Sequence, residues 1–548
     1  MEPPRKRRSF SWLFRWNTWR KLLLIVTGAV TVVALFHAEE NWRGKRAWDN
    51  YKREVEARGE SFDFAKYVPP PVPDDQNFAM TPFLAPLFDF VPGTQRQRDT
   101  NAVERTHRAA EMPNEIQTSF NKGGWPEASY LDLIRIANEL LATNHSAPPR
   151  FSRGETREAA QAILEKLKPV EPVLEELRRA SQRPYSRFNI DYEWEPKFGI
   201  LLPQLHTVTA MCSKLELRAC SELALAQPAP ASHDIRLMFT LVNSLRDEPF
   251  LITELVRFAC LTKTLQPMWE GLSRHQWTDE ELVDFSQELR TLDFLDDGVH
   301  ALRTESHCAD SYFGDLRSSR NPFRSVNDIA NGSDNSSEGG LATAIGTVIP
   351  RGWIYLEQLN YHRLVDFELN DVITPKGIDP EVADRKDAEV HRELVSSGVV
   401  GSILGHRIIS RALLPSLNGF ERKMAQAQTW VNLADIGCAL ERYRLVHGQF
   451  PEALDALAPQ FLAAVPRDVI MDQPLKYRLL ENGQFILYSV GWNKTDDGGV
   501  IVKASEELTH GDWVWEYPAA SPPEQAITSP LWPGRFESAA AAPRGQRR

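Results

Sequence analysis

The apolar positions of the chain fall into three regimes. Residues 22–36 read LLLIVTGAVTVVALF without a charge, and Ala38 extends the run. That length is at the short end of what crosses ~30 Å of hydrocarbon, so Leu22 to Ala38 is predicted to be a transmembrane helix. Beyond it, from about 128 to 405, apolar residues recur at the three-and-four spacing of amphipathic helices. Leu133, Ile136, Leu140 and Leu141 mark a helix over 130–144. Ala160, Ile163, Leu164 and Leu167 mark one over 154–182, broken at Pro169 and Pro172. Further helices are predicted over 198–227, 234–264, 279–292, 296–316 and 353–372, the fourth-last opened by Leu237 and Leu241 and the next by a Thr278-x-x-Glu281 capping box. In the third regime, 406–518, a helix from about His406 to Val446 carries Leu417, Phe420, Met424, Ala427, Val431, Ala434 and Cys438 as one seam. Leu433, Ile436, Leu440 and Tyr443 add a second apolar face, so its last turns should be wrapped by other structure. Two β-type runs, 475–480 and 485–490, flank Asn482-Gly483, a hairpin signal. Residues 501–504 and 512–515 supply further short strands.

Residues 39–60 are charged and helical in pattern, a continuation of the membrane helix into water, and 67–98, with Pro69-Pro70-Pro71 and Pro73, read as an extended strap or linker. The expected fold class is therefore mainly α, with a small α+β region at the C-terminus. The expected division is a basic tail (1–21), the span (22–38), a juxtamembrane helix and strap (39–127), an α-helical domain (128–405), the small α+β domain (406–518) and a disordered Ala/Pro/Gly-rich tail (519–548). The polar run NGSDNSSEGG at 331–340 is expected to be a loop.

Charge orients the span. Arg5, Lys6, Arg7, Arg8, Arg15, Arg20 and Lys21 precede it, Glu39 and Glu40 follow it, and Trp12, Trp16, Trp19 and Trp42 sit where interfacial belts form. The positive-inside rule then puts the N-terminus in the cytoplasm and the body outside, in a bacterial periplasm if the membrane is the inner one. A cleaved signal peptide is the rival reading, but cleavage after Ala38 would place Phe36 at −3, where a small residue is needed. The net charge of −11 argues against nucleic acid as the main partner. Five cysteines occur with no C-x-x-C pair. They read as small buried hydrophobes, with a Cys212–Cys220 disulfide as the alternative outside the cytoplasm.

Within 406–518 a more specific pattern appears: ALERYRLVHGQFPEALDAL, then DVIMDQPLKYRL, YSVGWNKTDDGG and GDWVW. In this order Ala439, Leu440, Tyr443, Gly448, Phe450, Pro451, Asp468, Pro474, Tyr477, Tyr488, Ser489, Gly491, Asp496, Asp497 and Gly498 resemble the globular domain of the type II secretion major pseudopilin. The resemblance covers about a fifth of the chain and implies a pilin-like long helix with a small antiparallel sheet. It also implies a calcium loop, whose carried-over ligands are Asp496 and Asp497, then Asp512 and Ser489. A solvated Asp-Asp-Gly-Gly turn is the simpler account of the same residues. Unlike a pseudopilin, the chain places about 370 residues between Phe36 and the helix and has no prepilin cleavage site before Leu22, so a role as the secretion piston is not expected. The rest of the chain resembles in style large membrane-anchored proteins of planctomycete and verrucomicrobial type, which implies no activity.

The sequence contains no P-loop, H-E-x-x-H, G-x-S-x-G, EF-hand or Rossmann glycine pattern. The richest polar cluster is His300, Glu305, His307, Cys308 and Asp310, which could hold a metal but reads more simply as a helix surface with a buried thiol; Asp296-Asp297 and His391 have no better claim. Trp194, Trp353, Tyr355 and Tyr361 read as core. Two classes of function fit: a membrane-anchored structural or interaction protein with envelope partners, no catalytic residues and at most calcium as cofactor, or an envelope hydrolase whose site is assembled from distant residues.

Overall fold

The computed structural model describes residues 16–111, 124–142, 150–195, 197–319, 349–374, 377–395, 401, 405–414, 419–470, 472–502 and 509–517. The basic residues before 16, the loop 331–340 and the tail 519–548 lie outside the described residues.

The first helix, α1 (Trp16–Ala57), is 42 residues long, about 63 Å at 1.5 Å per residue. Its two halves differ. Leu22, Leu23, Leu24, Ile25, Val30 and Leu35 are exposed, and the helix is long and apolar enough to cross a membrane. The second half buries Glu40, Gly44, Trp48, Tyr51 and Val55, spaced at three and four. The charged continuation is thus amphipathic, and it docks rather than standing free in water.

Next come α2 (Thr100–Ala110), α3 (Leu133–Leu141), α4 (Thr156–Leu167), α5 (Glu171–Ala180), α6 (Pro203–Ala224), α7 (Pro228–Ser244), α8 (Leu251–Ser273), α9 (Asp279–Leu289) and α10 (Phe294–Ser318). They are followed by α11 (Gly352–Leu369), α12 (Pro380–Val395), α13 (Ile408–Leu413) and α14 (Phe420–His447). The capping box is present, with Thr278 and Glu281 bonding reciprocally at the start of α9. The strap is more than a surface cover: Phe78, Ala79, Leu84, Leu87 and Phe88 are buried within it, and Asn77 ties it to the backbone of Arg187.

Two predicted helices are split. The 234–264 segment is the end of α7 and most of α8, parted at residues 245–250, where Pro249 cannot donate to a helix. The helix expected from His406 to Val446 is α13 and α14, with Leu417 outside the described residues. Gly419 holds φ +76 at the α14 N-cap, a backbone conformation outside the helical region. Within α14 the seam and the second face are buried together, from Phe420 to Leu440. The helix lies between α8, α9 and α10 on one side and the sheet on the other, so the seam packs inside the molecule. One apolar cluster runs from Phe78 through α6–α8 and α14 to Trp515 and Tyr517, on both sides of position 405.

The sheet is antiparallel in the order β3 (Lys476–Leu479), β4 (Phe485–Ser489), β5 (Trp513–Glu516). Leu479 pairs with Phe485 across Asn482-Gly483, and Ser489 with Trp513. β4 is central and fully buried. Trp515 fits over Gly437 of α14, where a Cβ would come 3.2 Å from its indole nitrogen. A second ladder, β1 (Ile373–Thr374) with β2 (Gly377–Ile378), was not foreseen.

The five cysteines are free and buried. Cys212 and Cys220 lie eight positions apart on α6, about 12 Å along the axis, too far for a disulfide. Cys212 instead hydrogen-bonds Cys260 of α8.

Candidate functional site

Helices α10 and α11 face one another beneath the stalk end of α1. On α10, His307 and Asp310 are three apart and share a face; on α11, Gln358 and His362 are four apart and share another. The two faces meet. His362 Nε2 lies 2.7 Å from Asp310 Oδ1, and Gln358 Nε2 donates to the same oxygen at 2.5 Å. His307 Nδ1 lies 3.4 Å from Asp310 Oδ2. Arg317, about two turns beyond Asp310 on α10, donates to Gln358 Oε1 at 2.6 Å and so fixes which way the amide points. Among the described residues, His307, Asp310 and His362 are the one set of three His, Cys, Asp or Glu residues whose ligand atoms all lie within 4.8 Å.

The third wall comes from α1 and the strap. The Phe62 ring stands edge-on to both imidazoles at 5.1 and 5.2 Å, and Trp48 lies 5.4 Å from His362. Tyr67 stacks on His307 at 5.0 Å. Both histidines are buried. Burial alone would raise the Asp310 carboxyl, but the His362 imidazole and hydrogen bonds from His307, His362 and Gln358 hold it well below the usual carboxylate range. Tyr67 Oη donates to the Ser61 carbonyl at 2.9 Å and also lies 3.1 Å from His307 Nε2.

Of the cluster read from sequence, His307 and Asp310 belong to this site and the other members do not. Glu305 points to α8, where it accepts from Leu251 N at 3.3 Å, and burial raises it. Cys308 is in the core. The His300 ring lies 5.8 Å from that of Tyr67 and tilted to it. His362, Gln358 and Tyr67 were not foreseen; they lie in segments with no motif and meet α10 only through the tertiary fold. Asp296 N is capped by Asp293, Asp297 pairs with Arg246 and Arg257, and His391 is exposed on α12. Trp353 donates to Glu40, Tyr355 lies under Arg317, Tyr361 is core, and Trp194 is half-buried.

The loop after β4 is held by its own acidic residues. Asp512 accepts from Gly499 N at 2.7 Å and Asp497 N at 3.3 Å. Asp496 accepts from Tyr488 Oη at 2.9 Å and pairs with Lys476 at 3.4 Å. Asp497 accepts from Asn493 at 3.2 Å. Ser489 is fully buried, accepts from Gly491 N and bonds Asp468, whose carboxyl burial pushes up to about 6. Gly499 holds φ +77 against Tyr488, so the loop needs a glycine there. These contacts place Asp496, Asp497 and Asp512 around one turn, with Asp512 as its staple, while Ser489 is turned to Gly491 and Asp468.

The chain matches no family model, no curated protein and no solved structure.

Proposed function

We propose that the protein is a single-pass, membrane-anchored envelope protein with a structural or protein-interaction role, N-terminus in the cytoplasm and body in the periplasm. One observation carries this reading: α1 is a single helix whose apolar half is bare and whose other half is latched into the body. Bare leucines and valines over five turns have no water-soluble purpose, since exposed apolar patches of that size mark a membrane or a partner. The latch makes the anchor a rigid stalk. The long helix α14 followed by the β3–β4 hairpin, the Asp-Gly loop and β5 supports a pilin-like module at the C-terminal end, presented to other envelope proteins.

Expression of the full chain in a bacterium tests the anchor. The protein should stay with membranes through alkaline carbonate washing, and externally added protease should reach the body only after the outer membrane is opened. Val26→Arg with Val30→Arg should release it, because each arginine near the bilayer centre costs about 2.5–3.5 kcal/mol. A soluble parent chain, or a mature N-terminus beyond Ala38, would refute the reading.

A further inference from the structure

We propose that His307, Asp310 and His362 bind a divalent transition-metal ion of the zinc class, an ion that joins α10 to α11. The inference stands on side-chain geometry and goes beyond the proposed function. Its starting point is the meeting of three ligand groups: one ligand atom each from His307, Asp310 and His362 lies within 4.8 Å of the others. His307 Nε2 lies 3.1 Å from Tyr67 Oη, which leaves Nδ1 as the nitrogen facing the Asp310 carboxylate, at 3.4 Å.

The separation suits an ion. Two ligands at about 2.1 Å on a tetrahedral centre stand about 3.4 Å apart. Asp310 Oδ1 is held by Gln358 while Oδ2 faces His307 Nδ1, so the carboxylate can ligate through one oxygen and keep its orienting hydrogen bond on the other. His362 Nε2 supplies the third ligand after turning from Oδ1 toward the ion. Two imidazoles and a carboxylate are the donor set of open zinc sites, with water as fourth ligand. The surroundings match as well. A metal-bound histidine commonly donates its second nitrogen to a fixed acceptor, which Tyr67 provides, and Phe62 with Trp48 screens the ion from bulk water. The ligands come from two helices, so the ion would join α10 to α11, while Tyr67 of the strap and Trp48 of α1 pack on the imidazoles.

The test uses the full chain in detergent, without a histidine tag, with zinc and cobalt(II) chlorides as probes. After zinc loading and washing, elemental analysis should find about one ion per chain, and the cobalt form should show the intense visible bands of a low-coordinate site. His307→Gln and His362→Gln should each abolish both while keeping the melting curve of the chelator-treated parent. Tyr67→Phe should retain the ion at about 10- to 100-fold weaker affinity. A parent chain that gives only the aqueous cobalt spectrum, or zinc retained by both histidine variants, would overturn the site. Unchanged affinity in Tyr67→Phe would overturn the part given to Tyr67 in holding His307 for the ion. Should a histidine variant fail to fold, the cobalt spectrum of the parent and the Tyr67→Phe affinity decide the matter.

Discussion

Arg257 shows how single residues hold this body together. Its guanidinium is wholly buried in α8, donates to both oxygens of Glu254 at 2.7 and 2.8 Å, reaches Asp297 at 3.1 Å and lies over the Phe294 ring. Removing one partner of such a pair strands the other charges in the interior. Arg257→Met should therefore lower stability by about 3–5 kcal/mol in urea unfolding, and Arg257→Met with Glu254→Met should recover part of the loss. An equal loss in the double variant would mean that packing, not charge, is what Arg257 supplies. Little of this was legible in sequence, where Arg257 is one polar position in an apolar helix. The same holds at the candidate site. His307 and Asp310 could be noticed because they are neighbours on one helix, whereas His362 and Tyr67 are ordinary residues until the fold brings them together.

Between elements, the decisive joint is the crossing of α1 over α11. A Cβ on Gly44 would lie 2.1 Å from the Gly352 carbonyl oxygen, and one on Gly352 2.1 Å from the Glu40 oxygen. The backbones thus touch, and Asn41, Glu40 and Tyr51 bond Gly352, Trp353 and Asp366 around the contact. Gly44→Leu should force the helices apart and cost at least about 1–3 kcal/mol, as overpacking does. Limited proteolysis would then cut between α1 and the body, and an uncut variant would show that the joint tolerates separation. Helices with local signals were legible: the α9 capping box, the α14 seam and the Asn-Gly hairpin all appear where the pattern puts them. Helix α12 was missed because its buried stripe is Ala383, Lys386, Val390 and Leu394. The lysine hides the period, its stem lying inward and its ammonium reaching the Asn370 carbonyl. The breaks at Pro249 and Gly419 were overlooked because apolar spacing continues across them.

On the scale of the whole molecule, buried carboxyls set the response to pH. Burial and the neighbouring Glu421 and Asp387 push Glu368 up to about 8, and burial pushes Glu421 up to about 7. Asp387 is raised too, by burial and against Arg422. Between its ordinary value and the raised one, each group is protonated in the folded chain and ionised in the unfolded one. The folded state then binds more protons, so stability falls as pH rises. Asp310 and Glu441, held low, act in the opposite sense and lose their contribution on acidification. The melting temperature should therefore peak near about pH 5 and decline toward about pH 8, with a shallower decline in Glu368→Gln. A profile flat over that range would show that these carboxyls ionise in place.

The length of α1 has a mechanical meaning. With the proposed span seated in a bilayer, its last apolar residue, Ala38, precedes the first latched residue, Glu40, by about 3 Å of helix rise. The body would then ride directly on the headgroups, with no tether to swing on. Any tilt that a thicker or thinner bilayer imposes on the helix would pass undamped into everything beyond it. The protein would meet other molecules at one height and in one attitude, like a gauge fixed to a wall.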